Sequence, residues 1–166
     1  KSSQLRTVYT QQNRFLRAKK KPNDPDPCPR DAFLQDLEQE IRGRQMAREK
    51  VIIMMDANGD TTSGPMRRFM EALGLKDAVL SHNSDLQPPA THKYGSKTID
   101  TVLCSPELSV INAAFLAGND SLGDHRMAIV DFQDNSLLGE NLVKVIRPQA
   151  RRLVCGLPDV KTRYIT

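Results

Sequence analysis

At 166 residues the chain has the length of one domain, and its 24 Lys plus Arg against 20 Asp plus Glu give a formal charge of +4 and a pI near 9.1. A chain of that size buries roughly two thirds of the surface its unfolded form exposes, so a single core is expected, and the mild basicity favours a polyanionic partner. Cys28, Cys104 and Cys155 are too few and too widely spaced for a disulfide framework or a CxxC zinc site, and no run approaches the roughly 18 apolar residues of a membrane span.

Reduced thiols fit an intracellular protein, nuclear or cytoplasmic, and no secretory leader is read at the start. His82, His92 and His125 complete no Cys/His ligand spacing.

Leu5 to Thr10 is β-branched and aromatic enough to predict a short strand, followed by the basic stretch QQNRFLRAKKK. PNDPDPCPR holds four prolines in nine residues and predicts a surface loop. Asp31 is then the expected N-cap of a helix over about 31–48, with Phe33, Leu34, Leu37 and Ile41 on one face. VIIMM, 51–55, lacks alternation and predicts a strand covered on both faces.

After the loop DANGDTTS, Ser63 can cap a second helix carrying Met66, Phe69, Met70 and Leu73, with Gly74 at its C-cap. Residues 77–96 are polar and rich in turn formers. Three strands are expected over 98–104, 108–116 and 126–132, with SLGDH as the loop before the last. The expected order is strand, helix, strand, helix, then strands only. A domain over 1–135 is expected to be followed by an extension or linker over 136–166.

The chemistry-bearing residues lie at the ends of these strands. DANGD places Asp56 and Asn58 just beyond an apolar strand, where ligands of open α/β sheets gather, although Asn-Gly is also an ordinary turn. Asp100 interrupts the apolar run of TIDTVLC; it either faces solvent from an edge strand or needs a cation or donor nearby, which an imidazole would supply. Asp124-His125 precedes the last strand, where a solvated turn is the plain reading. Together the set offers two hard oxygen ligands, an amide, one imidazole and a carboxylate to orient it. That inventory suits divalent-metal-assisted attack of water on a phosphodiester, because Mg²⁺ takes few carboxylates and an oriented His⁺ neutralises phosphoryl charge.

In order and spacing, the motifs MDAN, IDT and GDH resemble those of the endonuclease/exonuclease/phosphatase superfamily, the DNase I-like fold, over about residues 5–132. The nearest types are abasic-site endonucleases and the endonuclease domains of LINE-type retrotransposons. The resemblance implies an α/β (α+β) fold, part of a four-layer sandwich of two mixed or antiparallel sheets flanked by helices, with the N-terminal half missing. It implies that Asp56 orients or deprotonates the attacking water, and that Asn58 contacts the scissile phosphate. Asp124 would then be a ligand of Mg²⁺ or Mn²⁺, together with Asp56 and Asn58. His125 would stabilise the transition state, held by Asp100.

TVYTQQN resembles the family's Val-Tyr-x-Pro-Asn strand and implies that Tyr9 reaches the phosphate, with Gln11 and Gln12 replacing Pro and Asn. Met55, Ala57, Thr101 and Gly123 depart from the usual residues without removing a functional group. By the same resemblance an Asn and a Glu that complete the metal site belong to the absent first half, so low activity is expected of these residues alone.

DNA is the implied partner, with Arg14, Arg17, Lys19, Lys20 and Lys21, and also Arg147, Arg151 and Arg152, available for phosphate contacts. A reverse transcriptase domain would follow in a LINE-type parent. Two other readings stay open: a phosphatase or phospholipase of the same fold, and a non-catalytic truncated remnant.

Overall fold

The computed structural model describes residues 7–118, 121 and 123–139. Two helices open it: α1, Val8–Lys19, and α2, Pro29–Met46. Strand β1, Ile52–Asp56, leads to helix α3, Gly64–Leu73, and then to a two-residue strand β2, Lys76–Asp77, and a short helix α4, Ala78–His82. Strands β3, Asp100–Cys104, β4, Val110–Phe115, and β5, Ala128–Phe132, follow, and α5, Asp134–Leu138, closes the described part.

The first element corrects the sequence reading. Val8, Tyr9 and Thr10 lie in a helix, not a strand, because the Thr7 side chain accepts the Thr10 N–H and caps a run of good helix formers. Helix α2 likewise starts two residues before Asp31: Cys28 is the N-cap and Pro29 takes the first turn, where its missing N–H costs nothing. Phe33 is mostly exposed, while Leu34, Leu37 and Ile41 pack inward. Helix α3 follows its pattern, with Met66, Phe69 and Leu73 buried and Gly74 in the left-handed conformation at φ 63°.

Strand β3 is the centre of an antiparallel sheet in the order β1-β3-β2. Its alternation sends Leu103 into a cluster with Ile41, Val51, Met66, Phe69 and Leu73 from the helical side. Val102 and Cys104 join Leu108 and Ala78, against which Ala128, Val130 and Phe132 of the β4–β5 hairpin pack. Two small antiparallel sheets therefore stack, with helices outside one of them. Leu103 is fully buried, and truncating such a residue to Ala costs about 2–5 kcal/mol.

The two-sided burial expected for 51–55 belongs instead to β3, where Thr101 through Cys104 are all buried. Strand β1 is an edge strand, and Met54 is 77% exposed. Ile111 and Ile129 of the hairpin are exposed as well.

The turn-rich stretch after Asp77 contains α4 because that carboxylate supplies the helix start. Asp77 Oδ1 accepts the Val79 and Leu80 N–H groups, and Oδ2 accepts the Thr101 hydroxyl at 2.6 Å. Burial pushes the Asp77 carboxyl up, opposed by those hydrogen bonds. Helix α5 crosses the expected boundary at 135–136, and its Ser136 hydroxyl accepts the Ser109 N–H beside β4. The tail from 140 onward, including Arg147, Arg151 and Arg152, lies outside the described residues.

Candidate active site

Strand β1 delivers Asp56 to its carboxyl end, opposite Asp100 at the start of β3. The Ala57 N–H donates to the Ile99 carbonyl one step further on, so Asp56 and Asp100 occupy a position where no ladder bonds are exchanged and side chains come closest. Beyond the strand the chain folds back on the carboxylate: Asp56 Oδ1 accepts the Asn58 N–H at 2.8 Å and Oδ2 accepts the Asn58 amide at 3.2 Å. This places Asn58 at φ 48°, a left-handed conformation that Asn tolerates better than most residues.

His125 reaches the same rim from the other side. It forms an isolated antiparallel bridge with His92, flanked by Lys93 N–H to Asp124 O and Arg126 N–H to Thr91 O, each 2.7 Å. The bridge is anchored to β3 by Thr91, whose buried hydroxyl accepts the Ile99 and Asp100 N–H groups.

His125 Nδ1 lies 2.9 Å from Asp100 Oδ2 and 3.2 Å from Oδ1. An ionised carboxylate only accepts, so Nδ1 carries the proton and Nε2 is directed away from Asp100. Nε2 lies 3.9 Å from Asp56 Oδ2. The hydrogen bond that His125 donates to Asp100, with the charges of Asp100, Asp56 and Asp124, raises the His125 pKa above its ordinary 6.5 against an opposing effect of burial.

No protein-family model matches the chain, and no curated protein matches it. Among solved structures, the human Nocturnin catalytic domain with a bound sulfate anion is similar over 63% of this chain, at 27% identity and a TM-score of 0.52. The fold is of the endonuclease/exonuclease/phosphatase type. The chain spans 40% of the Nocturnin domain that it matches.

Against this fold the expected site residues fall into four sets. Asp56, Asn58, Asp100 and His125 converge as described. Asp124 falls outside the group formed by Asp56, Asp100 and His125 and is well exposed, with Oδ2 3.5 Å from His92 Nε2.

Tyr9 sits on α1 and not on a strand, yet it lines the same cavity, of about 600 Å³, as Asp56 and Asn58. Val8, Phe33 and Met55 contribute to the walls of that cavity. The basic residues follow α1 and its exit. Lys20 and Arg17 engage Asp26 at 2.9 and 4.0 Å, and Lys19 lies over the Phe15 ring.

Sequence reasoning passed over His92 and Thr91. Neither belongs to a motif with ligand spacing, and their meaning rests on a cross-strand bridge to a distant loop. Asp60, also unassigned, accepts from Thr62 and faces Lys97 at 3.7 Å.

Two groups among the described residues bring potential ligand atoms within 4.8 Å of one another: Asp56, Asp100 and His125, and His92, Asp124 and His125. His125 is common to both. An oxygen-rich rim of this kind, with exposed carboxylates at Asp56 and Asp124, fits a hard divalent cation that keeps several waters.

Proposed function

We propose that this site hydrolyses phosphodiesters with a divalent cation, Mg²⁺ or Mn²⁺, and that DNA is the substrate. The observation that carries the reading is the line Asp100, His125, Asp56: a carboxylate orients an imidazole whose other nitrogen points toward a second, exposed carboxylate. Asp56 is placed to orient and deprotonate a water, and the amide of Asn58 to donate to a phosphoryl oxygen. His125, oriented by Asp100 and with its pKa raised by that hydrogen bond, balances in its protonated form the negative charge that develops on the phosphoryl group. Asp56, Asn58 and Asp124 would hold the cation, which when bound supplies further charge neutralisation.

The sulfate in the Nocturnin catalytic domain is a tetrahedral anion of phosphate shape, which agrees with this chemistry for the fold. DNA as substrate is supported by the basic residues on α1, the helix whose first turns, with Tyr9, line the cavity that holds Asp56. The resemblance of MDAN, IDT and GDH to retrotransposon endonucleases supports nicking of DNA within a mobile element, with a reverse transcriptase further along the parent polypeptide. Asp56 and Asp124 fall in two separate groups of potential ligands that share only His125, so these residues alone hold a cation weakly. Activity of the 166 residues in isolation is therefore low, and a longer polypeptide carries it.

Plasmid nicking tests the proposal, with a longer polypeptide containing this chain assayed with Mg²⁺ and with a chelator. Cleavage that the chelator abolishes, and that Asp56→Asn and His125→Gln each reduce at least about a hundredfold, is the expected result. Nicking that survives chelation, or variants as active as the parent, refutes it. Turnover of a small phosphomonoester in preference to DNA transfers the site to the phosphatase reading.

A further inference from the structure

We propose that His92, Asp124 and His125 form a binding site for a borderline divalent transition metal such as Zn²⁺, and that its occupancy switches off the phosphodiesterase site. The inhibitory half of this proposal rests on the function proposed above; the binding half does not.

The backbone supplies the first argument. His92 and His125 are direct cross-strand partners, and the bonds Lys93 N–H to Asp124 O and Arg126 N–H to Thr91 O lie on either side of the pair. Such a position exchanges no ladder bonds and brings the two side chains closer than any other register does. The rings stand 4.9 Å apart, centre to centre. Asp124 is the neighbour of His125, and its carboxylate already lies 3.5 Å from His92 Nε2.

Tetrahedral zinc with bonds of about 2.0–2.1 Å separates its ligand atoms by roughly 3.3 Å. The three ligand atoms here lie within 4.8 Å of one another on partly or fully exposed side chains, so a small rotamer adjustment closes the set. Two imidazoles and one carboxylate with an open fourth position make a zinc-type donor set, whereas Mg²⁺ prefers oxygen.

The surroundings of each ring decide which nitrogen ligates. For His125, Asp100 holds the Nδ1 proton and leaves the Nε2 lone pair for the metal, the carboxylate–histidine–metal arrangement. For His92, the Tyr94 N–H points at Nδ1 at 3.2 Å, which places the ring proton on Nε2. Ligation through Nε2 moves that proton to Nδ1 and releases the Tyr94 N–H. Tyr94 is 82% exposed, so its amide can turn to water at little cost. Occupancy takes both His125 and Asp124 away from the phosphodiester chemistry, so the ion inhibits by competing for side chains and not by blocking an entrance.

Titration of Zn²⁺ into the 166-residue chain, followed by calorimetry and by backbone and imidazole NMR, tests the binding. One equivalent is expected to bind, with the His92 and His125 imidazoles and the Tyr94 amide shifting together. His92→Gln and Asp124→Asn should each weaken binding at least about tenfold. Cys28→Ser should leave it unchanged.

Absence of saturable binding, binding that His92→Gln leaves intact, or binding lost in Cys28→Ser overturns the proposal. In a polypeptide with phosphodiesterase activity, Zn²⁺ should inhibit at saturating Mg²⁺, and His92→Gln should raise the inhibitory concentration at least about tenfold. Inhibition equal in both proteins overturns the switch. A polypeptide without activity overturns the proposed function instead and leaves the binding result standing.

Discussion

Asp56 and Asp100 face each other across the β1–β3 ladder, and the imidazole of His125 touches the pair, at 2.9 Å from Asp100 and 3.9 Å from Asp56. Like charges directly opposite in a sheet repel, so this register is unfavourable without a cation-capable group beside it. His125 is that group.

Titration of His125 reports the relationship directly. Its folded pKa stands above the ordinary 6.5, chiefly through the Asp100 hydrogen bond. A raised folded value means the charged form stabilises the fold: the contribution is fully present below pH 6.5 and is lost as pH rises through the raised value. Asp100→Asn should return His125 toward its ordinary value. Imidazole chemical shifts followed against pH check this, and an unchanged midpoint in the variant contradicts it.

Substitution of Asn58 should separate backbone strain from chemistry. Asn58→Gly keeps the left-handed backbone without strain and should leave the urea midpoint close to the parent's, whereas Asn58→Ala should cost about 1 kcal/mol. Both remove the amide that meets Asp56, so both should lose about a hundredfold in cleavage. Full activity in Asn58→Gly would remove the amide from the mechanism.

Asp77 should prove one of the costlier polar residues to lose. Asp77→Ala removes two capping bonds and strands the buried Thr101 hydroxyl, a loss of about 2–3 kcal/mol in urea denaturation. Asp77→Asn keeps an oxygen for the cap and should cost about 1 kcal/mol.

Salt dependence tests the basic face of α1. If Arg14 and Lys21 each meet a phosphate, the double variant Arg14→Ala/Lys21→Ala should lower the slope of log affinity against log salt by about 2 for duplex DNA. Asp26 holds Lys20 and Arg17, so Asp26→Asn should release both and tighten DNA binding at low salt. Slopes unchanged by either variant would move the nucleic acid elsewhere.

The legible parts of this chain were those where side-chain period and caps agree. Helix α3, Gly64–Leu73, runs between its caps Ser63 and Gly74 as its apolar spacing and its glycine require, and β3, β4 and β5 lie within the expected strands. Helix α1 was misread because Val8, Tyr9 and Thr10 favour strands locally, while Thr7 and the following helix formers decide the outcome. Helix α4 was missed because Asp77 reads as a turn former until its partners Val79, Leu80 and Thr101 are in place. At the site, an imidazole partner for Asp100 could be anticipated from the cost of an unpaired carboxylate in an apolar strand. His92 could not, since it acquires a neighbour only when two distant loops pair.

Helix α1 buries none of its side chains, and its twelve residues are close to the length at which an isolated helix is barely stable in water. Its amides should therefore exchange with solvent far sooner than those of β3, without waiting for the whole domain to open. The chamber beside Asp56 thus has unequal sides: a firmer wall that includes Met55 and Asp56 of β1, and a flank bearing Tyr9 that peels back at small expense. Opening of that flank leaves the spacing of Asp56, Asp100 and His125 unchanged, because none of the three belongs to α1.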